Sequence, residues 1–162
     1  MKTYVLILSK YFPKHHPRSG DPTNFWEKMR MVEKLHTIRG NFQLWAKRID
    51  EVNQGKAIIS IRQWSGKPYR SKQEEIHQLK AGQVGYEEIF ISYIQGQFEI
   101  TLNDDDYLYS DDIEELGNND GLNGQQGLKD WFLPSLKKEE CFTGIIIHFT
   151  DFRYRDFKHN NS

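Results

Sequence analysis

Cysteine is almost absent from this chain of 162 residues: the single Cys141 excludes an internal disulfide and fits a reducing cytoplasm. Long apolar runs are missing as well. The longest lies near Gly144 to Phe149, far short of the roughly 20 residues a membrane helix requires, so no membrane partner is expected. The start, Met1 to Tyr4, leads into a short apolar run without a small-residue cleavage site, which reads against a signal peptide. Neither G-x-G-x-x-G nor a P-loop occurs, so no cofactor is expected, and no G-x-S-x-G announces a serine nucleophile. His15-His16 lacks a cysteine or carboxylate to complete a metal set, and Asp104-Asp105-Asp106 lacks the glycine and terminal glutamate of a calcium loop. No metal site is expected. Internal repeats and low-complexity stretches are not found.

What the chain does carry is an uneven charge distribution. Net charge is −1, yet residues 1–80 hold 16 of the 22 Lys and Arg but only 7 of the 23 Asp and Glu. A basic first half against an acidic second can steer a polyanion to one face of the fold, or be dipolar surface chemistry with no partner. The length suits one buried core, and residues 1–157 read as a single domain with a loose polar tail over 158–162.

Taken in order, Thr3 to Leu8 has the β-branched and aromatic content of a buried first strand. Lys10 to Pro22, with Pro13, Pro17, Gly20 and Pro22, is a long loop. A helix is predicted from Asn24 to Glu33, capped by Thr23 or Asn24, with Phe25, Met29 and Val32 on one face. Lys34 ends it and Thr37-Ile38-Arg39 opens an extended segment. Asn41 to Asn53 reads as a second helix through Phe42, Trp45, Ile49 and Val52, and Ala57 to Trp64 as the clearest strand, with Arg62 and Trp64 on one face. Further strands are predicted at Glu74 to Leu79, Tyr86 to Ile94 and Gln97 to Leu102, with a hairpin turn at Gln95-Gly96. Ser110 caps a helix to Leu116, a second runs from Gln125 to a stop at Pro134, and Gly144 to Phe149 is a last buried strand. Cys141 reads as a packed residue. Short strands interrupted by helices, without a βαβ rhythm, predict an α+β fold, a small mixed barrel or strongly curved sheet.

Two groups of residues could carry function. From Arg62 to Lys72 the chain interleaves Arg62, Lys67, Arg70 and Lys72 with Trp64 and Tyr69 over a Gly-Pro loop. Cations neutralise phosphates and aromatic faces stack bases, which fits single-stranded RNA or a nucleotide; the competing reading is a solvated loop with Trp64 packed in the core. Lys34, Thr37 and Arg39 could form a small catalytic or anion-binding group, since a desolvated lysine becomes a base and a threonine can be a nucleophile. On a strand Lys34 and Thr37 would point apart, so they share a site only if the backbone turns between them.

Lys34-x-x-Thr37-Ile38-Arg39, followed by Asp120-Gly121-Leu122, a helix around Trp131-Phe132 and a strand ending His148-Phe149, resembles the ASCH domain family of the PUA-like superfamily. The long early loop and the Trp64 to Lys72 segment look like features of a bacterial or phage branch of that group. The resemblance implies a small PUA-like β-barrel with flanking helices and a cleft for RNA or a modified nucleoside. It also implies an alternative, an amidohydrolase acting on N(4)-acetylcytidine or a similar acylated nucleoside, in which Lys34 activates, Thr37 attacks or orients water, Asp120 is the acid and Arg39 holds substrate. Asp120 stands where the acid-bearing members have Glu, and Val32 stands where a glycine usually precedes the lysine by two residues. A protein-interaction domain using exposed aromatics is a third reading.

Overall fold

The isoleucine-rich stretches become the central strands of two sheets in the computed structural model, which describes residues 1–158. In the first, β3 (Ala57–Trp64) lies between β1 (Lys2–Ile7), with which it runs parallel, and β4 (Gln73–Leu79), with which it runs antiparallel. In the second, fully antiparallel, β8 (Cys141–His148) lies between β2 (His36–Gly40) and β5 (Gly85–Ile94), followed by β6 (Gln97–Leu102) and the short β7 (Asp106–Tyr107). Ile145, Ile146 and Ile147 are all fully buried, so both faces of β8 are covered and the strand reads as a continuous apolar run rather than an alternation. Helix α2 (Phe42–Asn53) packs against β3, β5 and β8, burying Trp45, Ile49 and Val52. Helices α3 (Ser110–Asn119) and α4 (Gly124–Glu139) pack on each other, and α4 also meets β5 and β8.

The α+β class stands, with a correction to its geometry: no closed barrel forms among the described residues. Each sheet keeps free edges, because among the described residues β1 forms a ladder with β3 alone and β2 with β8 alone. A side chain crosses the seam instead of a backbone ladder: Arg39 on β2 donates from Nη2 to the Ile7 carbonyl of β1 at 2.5 Å and from Nη1 to its neighbour Ile38 at 3.2 Å.

Several local expectations change. β1 is an edge strand with Val5 exposed, not a buried one. Helix α1 covers only Phe25–Arg30; Val32 lies beyond it, exposed and in the left-handed region at φ 57°, so it is not part of the buried face. Asn24 makes no side-chain cap there. Tyr109, not Ser110, is the N-cap of α3, its N–H donating to the Asp112 carboxylate at 3.0 Å. Pro134 sits inside α4 instead of ending it. Its missing N–H and ring clash cost about 3 kcal/mol in a helix, which burial of Leu128, Phe132 and Leu136 along one α4 face offsets. Cys141 is exposed at the start of β8, not packed. Lys158 closes a short helix, α5 (Arg155–Lys158), and the rest of the expected tail, 159–162, lies outside the described residues. No helix among the described residues is long and apolar enough to cross a membrane.

The segment after β8 is pinned by a buried acid. Glu87 on β5 accepts from His148 Nε2 (2.9 Å), the Tyr154 N–H (2.7 Å), the Arg155 N–H (3.0 Å) and Asn103 Nδ2 (2.8 Å). Burial alone would raise its pKa, but these hydrogen bonds outweigh it and hold the carboxyl down to about 2. Burial pushes His148 down to about 4, against the pull of Glu87, and its Nδ1 has no partner among the described residues, so a second ring proton would be a buried donor without an acceptor there.

Both folded pKa values lie below the unfolded ones, so the unfolded chain binds more protons as pH falls and stability falls with it. The His148 contribution is lost between the ordinary imidazole value of 6.5 and about 4, and the Glu87 contribution between 4.5 and about 2. Thermal melts are expected to show the midpoint declining through both windows, with His148→Phe shrinking the upper decline, to which His16, also lowered by burial, still contributes, and keeping the lower. A midpoint that is flat between pH 6.5 and 4 in the native chain contradicts this assignment.

Candidate functional site

Because β1 and β3 are parallel, their C-terminal ends leave the sheet at the same edge, and the loops that follow them are neighbours. Loop 8–22 and loop 65–72 enclose a cleft of about 370 Å³ between them, lined by Lys10, Tyr11, Phe12, Trp64 and Tyr69 among others. Lys10 Nζ donates to the Ser65 carbonyl at 3.0 Å and joins the loops. Loop 65–72 is closed on itself by Ser65 N–H to the Lys72 carbonyl (2.8 Å), Gly66 N–H to Ser71 Oγ (3.0 Å) and Ser71 Oγ to the Lys67 carbonyl (2.8 Å). Trp64 is half-buried, so it is not absorbed in the core, and its ring lies 5.2 Å from that of Tyr69, which is 89% exposed.

Lys67, Arg70 and Lys72 are exposed and form no salt bridge among the described residues. Arg62 shares a face with Trp64 as the alternation required, but its guanidinium is held on the sheet by Ser60 Oγ (2.9 Å) and Gln73 Oε1 (3.0 Å). Arg39 lies behind the cleft, bonded to the carbonyl of Ile7, a lining residue.

A second centre forms where the chain turns from α1 into β2. The turn is closed by Glu33 and Lys34 N–H groups donating to the Lys28 carbonyl, at 2.8 and 3.0 Å, with Val32 in the left-handed conformation. A glycine would adopt that φ freely; a β-branched residue holds it at a cost on the order of 1–3 kcal/mol, yet the turn forms. It delivers Lys34 into the interior, 2% exposed. The amine donates to the Asp120 backbone carbonyl at 2.5 Å, lies 3.8 Å from Asp120 Oδ1 and sits 4.2 Å over the Phe25 ring. Burial pushes its pKa down to about 8; Asp120 opposes this, while Arg39 and Lys28 add to it. Gly121, at φ 79°, leaves room for the lysine stem, which a side chain there would crowd at 3.2 Å.

The strand starts at His36 and the turn lies before Lys34, at residues 31–33, so no turn falls between Lys34 and Thr37 as a shared site would require. The side chain that shares the Asp120 carboxylate with Lys34 is His36. The His36 Nδ1 lies 2.9 Å from Asp120 Oδ1 and its Nε2 lies 2.6 Å from the Tyr154 hydroxyl, which also accepts from Asn119 Nδ2 at 3.1 Å. This network is satisfied if Nδ1–H donates to the carboxylate and Nε2 accepts the phenolic proton. Burial raises the Tyr154 pKa, keeping that proton on the phenol.

Strand alternation sends Thr37 to the face opposite His36, together with Arg39; Thr37 is buried and makes no side-chain hydrogen bond among the described residues. The structure thus brings Lys34 and Asp120 together and turns Thr37 to the other side of β2. Lys34 also lines a cavity of about 320 Å³ with Arg30, His77 and Phe149, whereas the groups that hold its amine, Asp120 and Phe25, do not.

His36 was overlooked in the sequence although it stands at the alternate position from Lys34, the spacing that places both on one carboxylate. Tyr154 and Lys10 carried no such signal, since both reach their sites through long-range packing. No protein-family model matches the chain, and no curated protein or solved structure matches it.

Proposed function

We propose that the chain is an RNA- or nucleotide-binding domain of ASCH type, and that the ligand lies in the cleft between loops 8–22 and 65–72. One observation carries the reading: Tyr11, Trp64 and Tyr69 line a cleft beside cations that have no acidic salt-bridge partner among the described residues. Each part has a job. The rings offer stacking faces, Lys10 and Arg39 place positive charge at the cleft wall, and Lys67, Arg70 and Lys72 meet phosphates along the rim.

Binding of labelled single-stranded RNA is expected to weaken steeply with salt. Replacing Lys67, Arg70 and Lys72 together by Ala lowers the slope of log affinity against log salt by about 2, at roughly 0.7 per lost phosphate contact. Tyr69→Ala, by contrast, reduces affinity by about 1–3 kcal/mol with the slope unchanged, because stacking releases no counterions. Fluorescence anisotropy between about 50 and 200 mM salt measures both; binding that ignores salt sinks the proposal.

A second reading, the amidohydrolase, draws support from Lys34, whose pKa burial lowers to about 8 and which lines a cavity. A neutral amine can take a proton from water or a hydroxyl as an acylated nucleoside is attacked. In that reading turnover of N(4)-acetylcytidine, followed by the appearance of cytidine, rises between pH 7 and 9 and disappears in Lys34→Ala. Intact acetylcytidine after incubation with the native chain rules this substrate out.

A further inference from the structure

Two backbone irregularities, far apart in the chain, meet at one cavity. The first is Val32, held in the left-handed region at φ 57° and 63% exposed. Glycine takes that φ freely, so what valine adds there, at the cost of strain, is an isopropyl group. The second lies on β4, an edge strand of the three-stranded sheet. Its register against β3 steps from Ile61 opposite His77 to Arg62 opposite Glu75, which leaves Ile76 with no residue facing it. In a regular strand Ile76 and His77 would point to opposite faces. A bulge bends the strand and re-aims a side chain, and here both residues line the same space.

That space is the cavity of about 320 Å³ that Lys34 lines, within the usual size range of ligand pockets. Met29, Val32, Ile76 and Phe149 give it apolar walls, and methionine adapts its shape to what it covers. Arg30, His77 and Thr150 supply polar groups, and no carboxylate lines it among the described residues, in contrast to the cavity lined by Glu114 and Asp130. Arg30 and His77 are both exposed, and neither has a salt-bridge partner among the described residues. The Lys34 amine is turned to Asp120, so the charge a ligand meets is that of Arg30. A cationic ligand would find no acid here, and a wholly apolar one would leave the guanidinium unanswered. An organic anion with an apolar body satisfies both parts of the lining, since the arginine fork takes a carboxylate through two parallel N–H bonds.

We propose that this cavity binds a small organic carboxylate with an aromatic or branched aliphatic body, the body lying against Met29, Val32, Ile76 and Phe149 and the carboxylate meeting Arg30. None of the lining residues belongs to the aromatic cleft, so the site is separate from the RNA-binding reading and does not depend on it.

The test uses phenylbutyrate as the probe and phenylbutyramide as a neutral molecule of the same shape. Each is titrated into the native chain while the methyl signals of Met29 and Ile76 are followed by ¹³C NMR. The acid is expected to shift both signals saturably and to bind about tenfold more tightly than the amide, the worth of one charge-assisted hydrogen bond. Arg30→Gln brings the acid to the affinity of the amide; Arg30 is exposed and unpaired, so its replacement leaves the fold intact. Val32→Gly weakens acid and amide alike without lowering the thermal midpoint, because glycine takes that φ without strain. Met29 and Ile76 signals that stay unmoved up to about 10 mM acid overturn the site. Equal affinity for acid and amide, or an acid preference that survives Arg30→Gln, overturns the assignment of a carboxylate ligand held by Arg30.

Discussion

Asp120 is the point on which the interior of this fold depends. Its carboxylate meets His36 at 2.9 Å and Lys34 at 3.8 Å, and its backbone carbonyl accepts from Lys34. Around it the Leu35 N–H donates to the Asn119 carbonyl at 2.7 Å and Lys28 Nζ to the Gly121 carbonyl at 2.8 Å. The turn that enters β2 and the turn between α3 and α4 are therefore locked together by charged and polar groups rather than by apolar packing. Such a junction is weak evidence for stability, since desolvating an ion pair offsets much of its Coulomb attraction. Its value is positional: it fixes where Lys34 sits, and it holds the helical side of the molecule against the sheet that carries Arg39.

From there the architecture leads outward. Arg39, on the opposite face of β2 from His36, crosses to Ile7 and ties the five-stranded sheet to the three-stranded one. The parallel β1–β3 pair then delivers its two loops to one edge, where aromatics and cations gather without acidic salt-bridge partners among the described residues. A cation used as a strap at the base of the cleft still adds to its positive potential, so structural and binding roles need not compete at Arg39. The acidic second half of the chain supplies Asp120, which meets Lys34 and His36 of the basic half, so a small part of the charge asymmetry is an internal pairing of the two halves; Glu87 is engaged within its own half.

Much of this was readable from residue order. The runs at Ala57–Trp64 and Gln97–Leu102 were placed correctly because β-branched alternation bounded by turn residues is a local signal, and Gln95-Gly96 turned as expected because both residues take positive φ. The turn expected between Lys34 and Thr37 falls instead before Lys34, at residues 31–33. What escaped was set by distance in the chain. Barrel closure depends on whether β1 and β2 pair, which no local pattern records. Pro134 was overruled by packing of Phe132 and Leu136. The catalytic grouping paired Lys34 with Thr37 by spacing, whereas the meeting with His36 and Asp120 follows from strand alternation and a contact across 84 residues.

The amidohydrolase reading turns on how Lys34 ionises, because only an amine that gives up its proton readily can serve as a base. Following the Lys34 ¹⁵Nζ or ¹³Cε signal by NMR against pH tests this directly. The account predicts a midpoint near 8 in the native chain, well below the ordinary lysine value of 10.5, and a still lower midpoint in Asp120→Asn, where the stabilising carboxylate charge is gone. A native midpoint close to 10.5, or one that does not move in Asp120→Asn, contradicts it.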